Sequence, residues 1–393
     1  MIGMQMRSVE LFSGCGGLAL GLSKAGFSHS MMVEWDEDAH ATLLHNKNRN
    51  VKHVRDWPIS KGDVRKIDWS KLNVSVDLAA GGPPCQPFSI GGKHAGPGDN
   101  RDMWPEAIRT VRELRPRAFL FENVRGLLRP AFADYLRWIE LHLRAPQLER
   151  KPNQSLQSHL KQLEAASTEQ LYDVAILRVN AADYGAPQKR NRVIVAGIRK
   201  DLNITLQLPT PTHSHARLIW DQWITGEYWE RHGTAKPRSG PASTSDKQLV
   251  EKLRDRMIPP SGLPWKTCRD AFVGLGIPGK GSLSNHAFQP GARVYPGHTG
   301  SPLDEPAKAL KAGDHGVPGG ENMLVSPNGT VRYFTVREAA RLQGISDDFE
   351  FPRSWTESMR QLGNAVPVPL AEIMGKAMLG LLSRKTCGRR EAA

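Results

Sequence analysis

Between Val9 and Arg199, short apolar runs alternate with longer amphipathic stretches, and this pattern restricts the chain to a small set of folds. Parallel strands are joined by crossover helices and covered on both faces, so they occur as nearly continuous apolar runs separated by helical segments. Six runs fit this description: Ser8–Phe12, His29–Glu34, Val76–Ala80, Ala118–Glu122, Asp173–Asn180 and Arg192–Ile198. The sequence therefore predicts an α/β fold with a mostly parallel sheet.

The pattern changes after residue 200. From 201 to 332, Gly, Pro, His and Ser are frequent and helical periodicity weakens, which is typical of a smaller, loop-rich domain. The stretches 335–344 and 370–381 return to helical spacing. Residues 141–168 are polar and predict either a helical insertion or a surface excursion between two strands. We thus predict a first domain at 1–200, a second at 201–332, and a segment 333–393 that returns to the first.

The charge balance indicates a polyanionic partner. The 393 residues include 53 Lys and Arg against 40 Asp and Glu, a net charge of +13, and there is no lipidation motif or basic amphipathic helix. Nucleic acid is therefore favoured over a membrane.

Four cysteines lie far apart without a CxxC pair, which argues against a disulfide framework and a structural zinc site, so we expect no metal. The sequence shows neither a signal peptide nor a membrane-spanning run, so we expect a cytoplasmic protein.

A glycine-rich turn, Gly14-Cys-Gly-Gly17, follows the first predicted strand. Glycines allow a tight turn and the close approach of a ligand to the backbone. Glu34 ends the next strand 20 residues after Gly14, where dinucleotide-binding folds place an acid for ribose hydroxyls, and Trp35 can stack on an adenine. The pattern favours a nucleotide-like cofactor over the alternative that the glycines serve packing alone.

A second motif presents a cysteine at the end of a strand. In Gly81-Gly-Pro-Pro-Cys85, the two prolines fix the backbone ahead of the thiol. The carboxyl ends of parallel strands are where open α/β sheets bind their ligands. The glycine-rich segment 90–100 follows and could close over a substrate. These features favour a nucleophilic Cys85 over a buried structural cysteine.

Three further motifs carry polar residues that could serve a site. Glu122 ends an apolar strand, where partial desolvation would raise its pKa and let it donate a proton, although an ordinary surface glutamate is the alternative. Arg190 and Arg192 enter the last predicted strand and suit anion binding or the orientation of a polar ring. Asn364 precedes the C-terminal helix and could cap it or touch a cofactor.

Taken together and in this order, the motifs resemble those of the C5-cytosine DNA methyltransferases. The resemblance covers residues 9 to about 200 and 332 to 383, and it leaves the middle of the chain unmatched. It rests on Phe12-Ser-Gly-Cys-Gly-Gly17, Glu34-Trp35, Gly62-Asp-Val64, Gly82-Pro-Pro-Cys-Gln-Pro-Phe-Ser89, Glu122-Asn-Val124, Gln188-Lys-Arg-Asn-Arg192, Thr335-Val-Arg-Glu-Ala-Ala-Arg-Leu-Gln-Gly344 and Gly363-Asn-Ala-Val-Pro367. It implies a Rossmann-like methyltransferase domain with a mixed, mostly parallel sheet and a smaller target-recognition domain.

The resemblance also implies an S-adenosylmethionine site. Glu34 would bind the ribose hydroxyls, Trp35 would lie against the adenine, and Asp63 would hold the adenine amino group. The implied cofactor residues are Phe12, Ser13, Gly14, Gly16, Gly17, Glu34, Trp35, Asp63, Val64, Pro83, Asn364 and Val366. Two positions depart from the family pattern, Gly91 in the loop after Cys85 and Trp104 near the adenine.

The implied reaction is methylation of cytosine C5 by way of a covalent adduct. Cys85 would be the nucleophile, Glu122 would engage N3 and the exocyclic amine, and Arg190 and Arg192 would support them. Because the target atom is inaccessible in a stacked duplex, the cytosine must be flipped out. Ser89, Lys93, Asn100 and Arg101 would contact DNA from the catalytic loop.

The unmatched middle region is expected to read the DNA sequence. Its predicted reading residues are Arg293, His298, Lys308, Lys311 and His315. The expected partner is double-stranded DNA, bound by a monomer, with a possible cognate restriction endonuclease. RNA cytosine-5 methylation and a catalytically silent DNA-binding regulator remain alternatives. A nicotinamide dehydrogenase fits less well, because the glycine spacing departs from GxGxxG and Cys85 would have no role.

Overall fold

The computed structural model describes residues 5–84, 102–296, 298–313, 322–326 and 328–388. Its first eight strands are β1 Arg7–Leu11, β2 Ser28–Glu34, β3 Ile59–Lys61, β4 Leu78–Gly81, β5 Ala118–Val124, β6 Tyr172–Asn180, β7 Gln188–Lys189 and β8 Asn191–Arg199. Seven of them form one sheet in the order β3-β2-β1-β4-β5-β8-β6. All pairs are parallel except those of β8, which runs antiparallel to both β5 and β6. The predicted mostly parallel α/β sheet is confirmed, and β3 is the strand that the sequence did not predict.

Helices cover both faces of this sheet. The helices of the described chain, including the short ones of the middle region, are α1 Gly17–Ala25, α2 Glu37–Asn48, α3 Trp104–Leu114, α4 Ala133–Arg144, α5 Leu156–Ala165, α6 His215–Ile219, α7 Glu227–Arg231, α8 Thr244–Arg254, α9 Cys268–Phe272, α10 Val336–Leu342, α11 Trp355–Asn364 and α12 Val368–Gly388. Leu22 of α1 and Met378 of α12 are buried in one apolar cluster. Ile108 of α3 and Ile139 of α4 belong to another. Burial of these apolar faces is the main force that holds the helices on the sheet.

The C-terminal helices form part of the core. Within the described chain, the stretch 355–384 alone is long and apolar enough to cross a membrane, and most of it is buried inside the protein. A methyl group on Gly21 of α1 would overlap Ala371 of α12, so the two helices approach very closely. The last helix, α12, therefore packs directly on α1 beside the sheet, and the division of the chain at 333 stays a prediction.

The middle region contains short elements joined by loops. Its strands are β9 His213–Ser214, β10 Leu263–Pro264, β11 Ser301–Pro302, β12 Ala307–Lys308 and β13 Met323–Val325, and β14 Val331–Tyr333 follows at its end. Tyr228 and Trp229 lie in a small cluster of their own, but Cys268 packs with Leu43 of α2 and Phe334. β12 pairs with β7, so this region is joined to the strand that precedes Arg192. The domain boundaries at 200 and 332 stay a prediction.

Two histidines are buried in the sheet layers. His29 in β2 lies 3.0 Å from the Ser8 hydroxyl, and burial lowers its pKa to about 4. His142 at the end of α4 lies edge-on to His159 of α5, and burial lowers its pKa to about 3. The end of α4 and the whole of α5 lie within 141–168, so helices occupy half of that stretch.

Candidate active site

A cavity of about 730 Å³ opens at the carboxyl ends of the central strands. Its walls are formed by residues that directly follow β1, β2, β3 and β4 and by the last residues of β5. They include Phe12, Ser13, Gly14, Glu34, Trp35, Asp36, Gly62, Asp63, Val64, Arg65, Gly82, Pro83, Pro84, Glu122, Asn123 and Val124. A ligand site at this edge is what the topology of an open α/β sheet predicts.

The glycine-rich turn after β1 is shaped by left-handed backbone positions. Gly14 has φ +53° and its N–H donates to Oε2 of Glu34 at 2.6 Å. Gly17 starts α1, and a Cβ there would overlap the carbonyl oxygen of Val366, which lines the cavity from the other side. The turn is thus held between β2 and the C-terminal segment.

Gly16 has a packing role beside the cavity. Gly16 is not among the described residues that line the cavity. It caps α1 with φ +86°, and a Cβ there would lie 2.8 Å from the ring of Trp57. Packing and backbone conformation therefore require a glycine here, and its contact with a cofactor stays a prediction.

Glu34 presents a buried carboxylate to the cavity. Its Oε2 accepts the Gly14 N–H, and its Oε1 accepts the N–H of Asp36 at 2.8 Å. Burial raises the pKa of this carboxyl, which the backbone hydrogen bonds oppose. Each oxygen keeps a lone pair, so the carboxylate can accept two hydroxyl groups of a ribose. Trp35 beside it is 69% exposed and offers an open ring face at the rim.

Asp63 lies on the same wall and already has a cationic partner. Its carboxylate accepts the backbone N–H of Arg65 at 3.0 Å and the Arg65 guanidinium at 2.7 to 3.0 Å. These hydrogen bonds lower the pKa of Asp63. The Arg65 partner was not anticipated, and it fixes the orientation of the carboxylate beside Val64.

A largely buried ion pair joins β5 to β8, and its carboxylate lines the cavity. Oε1 of Glu122 lies 2.6 Å from Nε of Arg192, and both side chains are largely buried. The amide of Asn123 donates to the carbonyl of Pro83 at 3.1 Å, which joins the end of β5 to the turn after β4. A Cβ on Gly82 would be 3.7 Å from Oε2 of Glu122. The carboxylate therefore lies beside the turn that leads into residue 85.

Several predicted residues lie outside the described residues. They are Cys85, Ser89, Gly91, Lys93, Asn100, Arg101 and His315. Trp104, the second departure from the family pattern, is completely buried and contacts the ring of Phe121 edge-on at 6.0 Å. Met103, its neighbour, lines the cavity instead.

The guanidinium of Arg190 makes its hydrogen bonds to the middle region and to α11, and it interacts with Glu122 through charge alone. Arg190 is 1% exposed, and its guanidinium donates to the carbonyls of Leu310 at 2.9 Å and Gly363 at 2.5 Å. The cause lies in the backbone: β7 ends at Lys189 and β8 begins at Asn191, so Arg190 lies between two strands. Its side chain consequently reaches the middle region and α11 instead of Glu122.

The C-terminal segment closes the cavity. Asn364 and Val366, two of the predicted cofactor residues, line it together with Gln361 and Ala365. Arg360 also lines it and pairs with Asp36 at 2.9 Å, a contact between residues 324 positions apart. Sequence reasoning missed Arg360, Met103, Ala312 and Gly313. The only sequence signal for Arg360 was Asp36, an acidic residue next to the Glu34-Trp35 motif that could be expected to pair with a basic side chain.

The predicted DNA-reading residues are spread along the middle region. Arg293 is exposed, and the ring of His298 lies 4.3 Å from that of Tyr295. Nζ of Lys308 donates to the Thr299 hydroxyl, and the exposed Lys311 immediately precedes the cavity-lining Ala312. Lys311 is therefore the member of this set that the described structure places next to the site.

The comparisons with known proteins agree with the geometry. The family model described as C-5 cytosine-specific DNA methylase matches residues 6–380. The Type II methyltransferase M.PspPI of Psychrobacter sp. is 32% identical over 378 residues, covering 95% of this chain and 79% of the relative. M.NgoMIV of Neisseria gonorrhoeae is 29% identical over 396 residues, covering 97% and 100%. A DNA modification methyltransferase from an E. coli prophage has a similar fold, with a TM-score of 0.57 at 24% identity over 96% of this chain and 99% of that one.

Proposed function

The chain belongs to the C-5 cytosine-specific DNA methylase family and is a DNA (cytosine-5-)-methyltransferase that uses S-adenosylmethionine, and we propose that it acts on a cytosine flipped out of double-stranded DNA. One observation carries the assignment of the site. Glu122, which pairs with Arg192, lines the same cavity as Glu34 and lies beside the Gly82-Pro83-Pro84 turn. Cys85 is the next residue in the sequence, and this supports its proposed role beside the proton-holding acid.

Cys85 is the proposed nucleophile. Cytosine C5 is too weakly nucleophilic to take a methyl group unaided, so the thiolate adds at C6 and the ring becomes enamine-like. Bound S-adenosylmethionine supplies the electrophilic methyl group. A water molecule then takes the C5 proton, the C–H electron pair forms the C5–C6 double bond, and the C6–S bond breaks to release the Cys85 thiolate, which restores the aromatic ring.

Glu122 holds a proton at N3 of the cytosine while Cys85 adds. Negative charge builds on the ring in that step, and a proton shared with N3 stabilises it. Arg192 neutralises and orients the carboxylate from 2.6 Å away. Because both side chains are largely buried, water is excluded and these interactions are stronger than they would be in solvent.

The residues at the other end of the cavity suit the cofactor. Glu34 accepts the ribose hydroxyls, Trp35 lies against the adenine, and Asp63 accepts a hydrogen bond from the adenine amino group. The buried carboxylate of Glu34, already fixed by two backbone N–H groups, supports this because an oriented acceptor binds a diol with little loss of entropy.

The basic charge supports DNA as the partner. We assign the recognition of the DNA sequence to residues 201–332, and the proposed reading residues are Arg293, His298, Lys308, Lys311 and His315. We further propose a cytoplasmic monomer, since one site methylates one strand per event. The relatives named Type II methyltransferases support a role in protecting DNA from a cognate restriction endonuclease.

The function is tested by transfer of a tritiated methyl group from S-adenosylmethionine to duplex DNA and, in parallel, to RNA. We expect label in DNA only, and bisulfite sequencing should locate 5-methylcytosine at one short sequence. Label in RNA alone would replace the proposal by RNA methylation, and no label in either would support the silent regulator. Exchange of residues 201–332 with those of a relative of different target should transfer that target.

A further inference from the structure

The buried side chain of Arg190 lies where two distant segments meet. Nη1 donates to the carbonyl of Leu310 at 2.9 Å, and Nη2 donates to the carbonyl of Gly363 at 2.5 Å. The backbone of Arg190 is itself fixed, because its N–H donates to the amide oxygen of Asn180 at 3.0 Å. One guanidinium thus joins the middle region to the end of α11.

These two segments form adjoining parts of one cavity wall. Ala312 and Gly313 line the cavity on one side, and Asn364 to Val366 line it on the other. Their backbones are in direct contact, since a Cβ on Gly363 would lie 2.5 Å from the carbonyl carbon of Lys311 and 2.6 Å from Cα of Ala312. Arg190 spans this contact from behind the wall.

A second buried side chain supports the same junction. Gln188 is fully buried, and its Nε2 donates to the Leu342 carbonyl at 2.8 Å and to Oε1 of Gln343 at 3.0 Å. The amide of Gln343 in turn donates to the carbonyl of Leu362, the residue before Gly363. Buried polar groups of this kind specify a single arrangement of the segments that they join.

We propose that Arg190 is a positioning residue for cofactor binding and not a catalytic residue. Its two hydrogen bonds hold residues 310–313 against residues 363–366, and this contact sets the position of the wall that encloses S-adenosylmethionine. The inference rests on the proposed function only for the identity of the ligand. Arg192, two residues further on, serves the reacting end through Glu122.

The chemistry of the guanidinium explains why arginine occupies this position. Its planar fork carries donors in fixed directions, so it can bridge two separate carbonyls while remaining buried. A lysine keeps the charge and most of the volume, but its single ammonium on a flexible stem cannot reproduce the bridge. Arg190→Lys is therefore a specific perturbation of the junction.

The chain offers a matched control in Arg337. This arginine is also fully buried and donates to three backbone carbonyls, of Ser284, Ser346 and Phe349, at 2.8 to 3.2 Å. It is not among the described residues that line the cavity. Arg337→Lys consequently measures how much stability is lost when a buried arginine is replaced away from the cavity.

The experiment measures S-adenosylmethionine binding by calorimetry, and kcat and KM for methyl transfer, at a temperature where circular dichroism shows each variant folded. Arg190→Lys should raise Kd and KM for the cofactor about tenfold, as expected when hydrogen bonds from a charged group are lost. Its kcat at saturating cofactor should change much less than its KM. Arg337→Lys should lower the thermal midpoint and leave the cofactor Kd unchanged.

Gly363→Ala tests the same junction without altering any charge. Its methyl group would collide with the backbone of Lys311 and Ala312, so we expect the same weakening of cofactor binding. This variant carries the test if Arg190→Lys does not fold. Folded variants with an unchanged cofactor Kd would overturn the proposal. The proposal would also be overturned if Arg337→Lys weakened cofactor binding as much as Arg190→Lys does. A lower kcat at unchanged KM in Arg190→Lys would overturn it too. Calorimetry measures cofactor binding without turnover. A wild type that binds S-adenosylmethionine but does not methylate DNA would therefore refute the proposed function and leave the test of Arg190 intact.

Discussion

Replacement of Gly17 by alanine tests how closely the glycine-rich turn and the C-terminal segment fit around the cofactor cavity. Gly17 is the first residue of α1, and the added methyl group would overlap the carbonyl oxygen of Val366 and lie 3.3 Å from Cβ of Ala365. A backbone carbonyl cannot rotate away as a flexible side chain can. Residues 365–366 or the start of α1 must therefore move.

Two opposing contributions set the effect on stability. Alanine has a higher helix propensity than glycine, which stabilises the helix by about 1 kcal/mol. Overpacking in a tight interior costs about 1 to 3 kcal/mol. The free energy of unfolding should accordingly stay the same or fall by up to about 2 kcal/mol, and the protein should remain folded.

The effect on the cofactor should be larger than the effect on stability suggests. Val366 and Ala365 line the cavity, and a displacement of its wall by about 1 Å degrades the geometry of every contact there. We expect the Kd for S-adenosylmethionine to rise at least about tenfold by calorimetry, which corresponds to about 1.4 kcal/mol.

Gly380→Ala in α12 is the control for helix propensity. Among the described residues, no heavy atom lies within 4 Å of a Cβ at this position, apart from its chain neighbours and the backbone of its own helix. This variant should be slightly more stable in urea denaturation and should bind cofactor normally. A folded Gly17→Ala protein with wild-type cofactor affinity would refute the reasoning about the cavity wall.

Three other predictions follow from the site and the core. Glu34→Ala should weaken S-adenosylmethionine binding by about 1 to 3 kcal/mol; unchanged affinity by calorimetry would contradict its role. Glu122→Gln should lower kcat by a factor of about 10² to 10⁴ with normal cofactor affinity, and retained turnover would exclude it as the proton-holding group. Burial lowers the pKa of His142 from 6.5 to about 3, so the unfolded chain binds more protons below pH 6.5. This histidine should therefore reduce the free energy of unfolding by about 1.4 kcal/mol for each pH unit between 6.5 and 3. Urea denaturation of wild type and His142→Gln at pH 7, 6 and 5 measures the difference, and parallel profiles would disprove it.

The sheet was largely predictable because its strands are buried on both faces. Each of the six predicted runs overlaps a strand of the structure, including β5, which contains Glu122 and ends two residues after it. The antiparallel direction of β8 was not predicted, since a buried strand has the same apolar pattern in either direction. β3 is only three residues long and contains Ser60 and Lys61, so it gave no apolar signal.

The parts of the site that lie in short sequence motifs gave a signal in the sequence. Gly14 and Glu34 meet as expected from their spacing of 20 residues. Contacts between distant segments gave no such signal. The pair of Arg360 with Asp36, and the bridge from Arg190 to Leu310 and Gly363, depend on how the chain returns to the sheet. Neither periodicity nor a short motif reports that path.

Covalent trapping on duplex DNA that carries 5-fluorocytosine in place of cytosine tests the central claim most directly. After methyl transfer, the fluorine at C5 cannot leave as a proton does, so the bond between the Cys85 sulfur and C6 should persist. With S-adenosylmethionine present, the wild-type protein should form a complex that survives denaturing electrophoresis, and Cys85→Ala should form none. The same complex with Cys85→Ala, or no complex with an active wild type, would contradict the account.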